Sequence, residues 1–381
     1  MSDYYRIKRY CLKTDILTNK NRVVLLKDCG EFVKELLNLI EEARENIIIE
    51  FYEIASDSFG LKISELLIKK ARENVKIKII YDSLGSILTD SAFFKRLKEN
   101  RIEVAEYHPV NRFYSVHKFF RRNHRKMIAV DDRKAIIGGF NLSLDYVPYD
   151  LGGANWKDNG VAIEGESVDM LYRLFYETWD EIKKTHTEYI TSKPFDKNFS
   201  VPLIVLSGSG LRKFYSIRRN YKYAIDNSRN YIYITNAYFL PDRLIYRKLV
   251  QAVRRGVEVK IIVPKKTDHP YVRLASLAMF PYMIKNGIEI YEWQGEILHS
   301  KTAVIDDFWV SIGSHNLDHR SLHYNLELNV NIFDENIAIE ARTSFLKDLS
   351  NCKKISLEDC QKRNLSSKVL SQILYLFRSW L

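Results

Sequence analysis

Apolar positions recur along this chain with two different periods. Short, nearly continuous apolar runs read as buried strands: Val23–Leu26, Ile47–Tyr52, Val75–Tyr81, Tyr231–Thr235, Val257–Val263, Thr302–Ile305, Phe308–Ile312 and Leu326–Ile332. Between them the spacing is helical. Phe32–Arg44 carries Phe32, Val33, Leu36, Leu37, Leu39 and Ile40 on one face, and Leu61–Glu73 and Leu244–Arg255 follow the same rule, as does a helix ending at Tyr221–Asn227. Strand and helix therefore alternate, which predicts α/β units on a largely parallel sheet. The unit occurs twice, since RENVKIKII from Arg72 aligns with RRGVEVKII from Arg254. The expected fold is α/β in two similar halves, each a mixed, mostly parallel sheet flanked by helices. The halves are expected over residues 1–199 and 200–381, joined by the polar, Pro194-bearing segment 191–200. Residues 1–21 are polar and basic and read as a surface arm.

The polar residues at the ends of certain strands are duplicated too. His124 and Lys126 precede the apolar run Met127–Val130 and Asp131; Gly138, Gly139 and Asn141 follow. In the second half His299 and Lys301 precede Thr302–Ile305 and Asp306; Gly313, Ser314 and Asn316 follow, every step displaced by 175 residues. Residues two apart on a strand share a face, so each imidazole projects beside an ammonium group. Asp131 and Asp306 begin hairpin turns and read as groups that hold the motif's backbone. The small residues after each hairpin offer a place where a phosphate can approach the backbone.

A twofold H-x-K-x4-D pattern with a following G-[GS]-x-N resembles the phospholipase D superfamily. The second copy is more particular: Asn316-Leu317-Asp318, Arg320-Ser321, Asn325, Glu327 and Asn329 are similar to bacterial cardiolipin synthases, as are Asn236–Phe239, Pro241-Asp242 and Trp156-Lys157-Asp158. The resemblance covers about residues 20–350 and implies two phospholipase D-like halves, face to face about a pseudo-two-fold axis, with His124 and His299 meeting across it. One neutral imidazole attacks phosphorus while the other protonates the leaving oxygen and later deprotonates the incoming alcohol. The residues alone allow either order; the resemblance makes His124 the nucleophile and His299 the acid/base. Lys126 and Lys301, with Asn141 and Asn316, would neutralise the phosphate oxygens, and Arg320 would bind a headgroup phosphate. Asp158 and Glu327 are candidates to fix the imidazole tautomers, with sheet-end salt bridges as the alternative. Asp131 and Asp306 complete the catalytic motif. No cofactor and no metal are expected. The implied reaction is transfer of a phosphatidyl group from phosphatidylglycerol to a second phospholipid alcohol, that of phosphatidylglycerol or phosphatidylethanolamine. A phospholipase D using water, and a nuclease of the same superfamily, are the alternatives.

Charge suits this reading without choosing it. There are 59 Lys and Arg against 48 Asp and Glu, a net charge of +11. A basic chain wants an acidic partner, and the motif favours an anionic membrane surface over nucleic acid. Cys11, Cys29, Cys352 and Cys360 lack metal-site spacing and suit a reducing compartment. Many members of the family begin with two membrane spans; this chain, with no apolar run of about 18 residues, resembles a shorter, span-free type. Its expected location is peripheral or monotopic on the cytoplasmic face of a bacterial membrane, as a monomer because both motifs share one chain. Two surface candidates remain: the basic-aromatic loop 112–125, containing His117, and a C-terminal helix with Val369, Leu370, Ile373, Leu374, Phe377 and Leu381 at helical spacing. A metal site made of His315, His319 and His323 is disfavoured, since no carboxylate or cysteine partner stands at suitable spacing.

Overall fold

The computed structural model describes residues 2–110, 121–189, 196, 198–208 and 216–378. Its strands are β1 (Leu17–Thr18), β2 (Asn21–Leu26), β3 (Asn46–Phe51), β4 (Lys76–Asp82), β5 (Glu103–Tyr107), β6 (Met127–Val130), β7 (Lys134–Gly138) and β8 (Gly160–Gly165). The second half adds β9 (Leu203–Gly208), β10 (Tyr231–Asn236), β11 (Glu258–Pro264), β12 (Glu289–Trp293), β13 (Lys301–Ile305), β14 (Trp309–Gly313), β15 (Glu327–Phe333) and β16 (Cys352–Lys354). One sheet runs β2-β8-β7-β6-β3-β4-β5. The other repeats that order as β9-β15-β14-β13-β10-β11-β12, with β1 and β16 added at its edges. The duplication seen in the motif spacing is thus a duplication of topology.

Both sheets are mixed, but the balance of directions differs from the expectation. In each, only the run from β3 to β5, or β10 to β12, is parallel, and the remaining pairings are antiparallel. The parallel strands are those linked by helices such as Ser58–Arg72 and Arg243–Arg254. β6-β7 and β13-β14 are hairpins closed by Asp-Asp turns with positive φ, which makes them antiparallel.

Three large apolar cores form among the described residues. Helices Cys29–Glu42, Ser58–Arg72 and Ser91–Glu99 cover the outer face of the first sheet. A matching set covers the second. The third core lies between the sheets, where Val161, Val310 and Leu328 meet side chains of helices Val168–Lys183 and Glu335–Leu349. Burying this much β-branched and aliphatic surface from both sheets binds the halves into one body.

The N-terminal segment is not a free arm. Helix Ser2–Tyr10 buries Ile7 and Tyr10 in the outer core of the second sheet, and β1 pairs with β9. Tyr10 donates a hydrogen bond to Asp306 at 2.7 Å. Among its described side chains the buried apolar ones are Ile7 and Tyr10, so its polar composition hides the docking. The segment 191–195, residue 197, loop residues 112–120 with His117, and Leu381 lie outside the described residues.

Candidate active site

β6 and β13 each start where the parallel strands of their sheet end, so both motif histidines stand on the same edge of the molecule. Each is then pinned by the other half. The His124 N–H donates to the Leu326 carbonyl at 2.9 Å, and the Leu326 N–H to the Arg122 carbonyl at 2.8 Å. In mirror fashion the His299 N–H donates to the Lys157 carbonyl at 2.7 Å, and the Lys157 N–H to the Ile297 carbonyl at 2.8 Å. These parallel bridges deliver the next residue of each partner segment, Glu327 or Asp158, to an imidazole. His124 Nδ1 is 3.1 Å from the Glu327 carboxylate, and His299 Nδ1 is 2.8 Å from Asp158 Oδ2. The Tyr146 hydroxyl, 3.0 Å away, also reaches His299 Nδ1. With each Nδ1 so engaged, Nε2 is the ring nitrogen left for the cavity that both histidines line.

The small residues after the hairpins serve these carboxylates. A Cβ on Gly139 would sit 2.3 Å from Asp158 Oδ1, so glycine is what lets that acid approach. The equivalent residue, Ser314, uses its hydroxyl to donate to Glu327. The close approach read from sequence as room for a phosphate is therefore filled by the orienting acids.

Burial governs the protonation states. Asp158, Glu327 and Lys301 are fully buried, Lys126 nearly so. Burial, then the charges of Lys126 and Lys301, hold His124 well below its ordinary range. His299 is lowered by burial and Lys301, while Asp158 and Asp268 pull it back up. Both imidazoles are neutral at rest. Burial is also the leading cause that pushes Lys126 down to about 7 and Lys301 to about 8. Each lysine folds back on its own motif: Lys126 Nζ donates to the His124 carbonyl at 2.9 Å, and Lys301 Nζ to the His299 carbonyl, lying 2.8 Å from His299 Nδ1.

The cavity, about 140 Å³, is lined by His124, His299, Asn141, Asn316 and Arg320 among others. Arg320 comes from the short helix His319–His323, whose N-cap Asp318 accepts from the Ser321 N–H at 2.8 Å. Asp131 and Asp306 are elsewhere, at the opposite ends of β6 and β13. Asp131 accepts from the N–H groups of Arg44, Glu45 and Asn46, and Asp306 from those of Arg229, Asn230 and Tyr231, all at 2.7–3.0 Å. Counting them with the catalytic groups is corrected by this placement: they anchor turns and do not reach the cavity. His315 is buried, with a ring contact to Tyr221, and the rings of His319 and His323 lie 4.2 Å apart, tilted by 36°.

Sequence reasoning left several cavity residues unassigned. Tyr52 and Tyr238 stand edge-on to His124 and His299 at 5.2 and 6.0 Å. Lys126 and Lys301 lie over the same rings at 5.2 and 6.0 Å. Glu53 accepts from Asn141 at 3.2 Å, and Asp268 accepts from the Tyr238 hydroxyl. The available signals were a Tyr just after β3 and another shortly after β10, the second inside the Asn236–Phe239 stretch that carries the resemblance.

A duplicated mixed sheet with two opposed H-x-K motifs at one cavity defines the phospholipase D class. A family model described as "Cardiolipin synthase, PLD-like domain" matches residues 36–179 and 221–349. The chain is 32% identical over 368 residues to cardiolipin synthase 1 of Staphylococcus epidermidis, covering 95% of this chain and 75% of that one. It is 30% identical over 374 residues to the major cardiolipin synthase ClsA of Bacillus subtilis, covering 94% and 77%. In fold it is similar to a phosphatidylserine synthase of Haemophilus influenzae, with a TM-score of 0.77, 15% identity and full coverage of both chains. The chain belongs to the cardiolipin synthase family of phospholipase D-like proteins, and it is an enzyme of the phosphatidyl transferase kind.

Proposed function

We propose that this protein forms cardiolipin by moving a phosphatidyl group from phosphatidylglycerol to the alcohol of a second phospholipid. The observation that supports this most is the pair of neutral, carboxylate-held imidazoles lining one cavity. His124 is the nucleophile, its ring kept neutral by burial and by the charges of Lys126 and Lys301. Its Nε2 forms a bond to phosphorus as the bond from phosphorus to the glycerol oxygen breaks. An arriving phosphodiester anion raises the proton affinity of both rings, and His299, facing Asp158 and Asp268, takes up a proton from solvent for the first turnover and passes it to the leaving glycerol oxygen. His299 then removes the proton of the acceptor hydroxyl, whose oxygen attacks phosphorus and releases His124. Lys126, Lys301, Asn141 and Asn316 stabilise the non-bridging oxygens, and Arg320 holds the second phosphate.

The acceptor is phosphatidylglycerol or phosphatidylethanolamine. The protein works as a monomer, peripheral on the cytoplasmic face of an anionic membrane. Residues 1–199 and 200–381 are its two halves, with the N-terminal helix crossing over to dock on the second. The test is purified protein on phosphatidylglycerol vesicles, with and without phosphatidylethanolamine, the lipids resolved by mass. Cardiolipin with released glycerol is the expected result. Phosphatidic acid as the only product would make it a hydrolase.

A further inference from the structure

The helix Leu365–Leu376 is built with its polar side inward. Of its residues only Ser371 is buried. The Arg363 guanidinium reaches along that inner seam, donating to Ser367 Oγ at 2.8 Å and to Ser371 Oγ at 2.5 Å. Leu374 and Tyr375 touch the second outer core from the edge. The remaining apolar residues face out at helical spacing: Leu365, Val369, Leu370, Ile373, Leu376 and Phe377 are 45–76% exposed. A soluble surface helix normally presents the reverse.

Its position relates this stripe to the catalytic cavity. The helix packs across helix Pro270–Ser276, whose Tyr271 and Val272 line the cavity. Beyond its C-terminal end, Arg378 lies close enough to His319 to help lower that imidazole, and the next residue, Arg320, is a cavity residue. The first half has its own apolar point on the same edge. Ile87 and Leu88, 57% and 95% exposed, lie in the turn after β4. That turn is bonded to the cavity segment through Ser86 Oγ, which receives the Ile54 N–H at 3.1 Å, and Thr89 Oγ1, which donates to the Ile54 carbonyl at 2.6 Å.

We propose that the helix Leu365–Leu376, with Ile87 and Leu88, is the surface that seats the cavity mouth on an anionic lipid bilayer. This rests on the lipid-transfer reading above. A lipid reactant is delivered from a bilayer, so its entrance has to meet one, and apolar groups beside that entrance are what the meeting requires. Charge agrees: Lys368 and Arg378 flank the stripe in a chain of net charge +11. Twelve helical residues span about 18 Å, against roughly 30 Å of hydrocarbon, so the helix lies in the interface and does not cross. A second copy of the chain is a poorer occupant. The stripe's six exposed apolar residues, even with Ile87 and Leu88, fall well short of the about 20–30 residues a side of a stable protein interface.

The test uses the full chain with Leu370→Glu/Ile373→Glu, and separately Leu88→Glu, on phosphatidylcholine vesicles with and without phosphatidylglycerol. Flotation of the double variant with the anionic vesicles falls at least about tenfold, and turnover on those vesicles falls in proportion. Turnover on detergent-dispersed phosphatidylglycerol stays within about twofold, and Leu88→Glu gives a smaller loss of the same kind. Unchanged flotation overturns the proposal. So does a wild-type dimer in sedimentation that the double variant dissociates, or a lowered melting temperature in both variants, which would mean packed side chains. Helix-dependent flotation in a protein that makes no cardiolipin in either lipid form would leave docking standing and remove the transferase reading instead.

Discussion

The His124 N–H donates to the Leu326 carbonyl, and the neighbour of Leu326, Glu327, holds the His124 side chain. Backbone and side chain of one imidazole are thus both set by the other half of the molecule, and His299 is held by Lys157 and Asp158 in the same way. Replacing Glu327 by Gln keeps an oxygen for the Nδ1–H but removes the charge that supports an imidazolium. We expect kcat to fall about 10–100-fold, with KM little changed. Burial holds the Glu327 carboxyl above its usual range, so the charged form is strained in the folded state, and the strain grows as pH rises above the ordinary carboxylate pKa. Glu327→Gln should therefore match or exceed the wild type in melting temperature at pH 8. Parallel loss of activity and stability would make Glu327 a structural ion-pair partner.

The lysines set a limit on the alkaline side. Lys126 and Lys301, pushed down to about 7 and about 8 chiefly by burial, lose their protons in the free enzyme within the assay range. Phosphate binds the charged form, so kcat/KM should fall as pH rises through 7 to 9, approaching tenfold per unit for each lysine lost. At saturating lipid the fall shifts to higher pH, because a bound phosphate raises both lysines. A flat kcat/KM over that range would show that the lysines stay charged without substrate.

Glu53 gives a stability test at the same cavity. Burial, then Asp145, pushes it up to about 7. The folded state therefore prefers the protonated carboxyl, and a penalty develops as pH rises from the unfolded value near 4.5 through 7. Glu53→Gln removes it. The variant should equal the wild type at pH 4 and gain on the order of 3 kcal/mol at pH 8. Denaturant titrations at the two pH values check this, and equal differences at both would contradict it.

These tests also mark where sequence reading stops. The H-x-K spacing was legible because strand geometry is local: two residues apart is one face, whatever the rest of the chain does. The hairpin turns at Asp131 and Asp306 were legible for the same reason. Sheet direction was not, since a β-α-β pattern counts the helical crossovers and overlooks the hairpin strands that outnumber them. Nor were Tyr146 on His299 or Ser314 on Glu327, because no pattern in either segment records what will fold against it. The N-terminal helix escaped because Ile7 and Tyr10 are too few to stand out among lysines and arginines.

The last prediction separates the two histidines. If His124 is the nucleophile and His299 the acid, removing His299 damages the first step only through its leaving group. Glycerol leaves poorly without a proton, whereas p-nitrophenolate needs none. His299→Ala should lose cardiolipin formation from phosphatidylglycerol by orders of magnitude. It should still release one equivalent of p-nitrophenolate per protein from a phosphatidyl p-nitrophenyl ester, then stall as a phosphatidyl-His124 adduct detectable by intact mass. The stall follows because no base remains to activate the acceptor hydroxyl. His124→Ala should release no burst from the same ester. A burst and adduct in His124→Ala, and none in His299→Ala, would exchange the two roles while leaving the two-histidine mechanism in place.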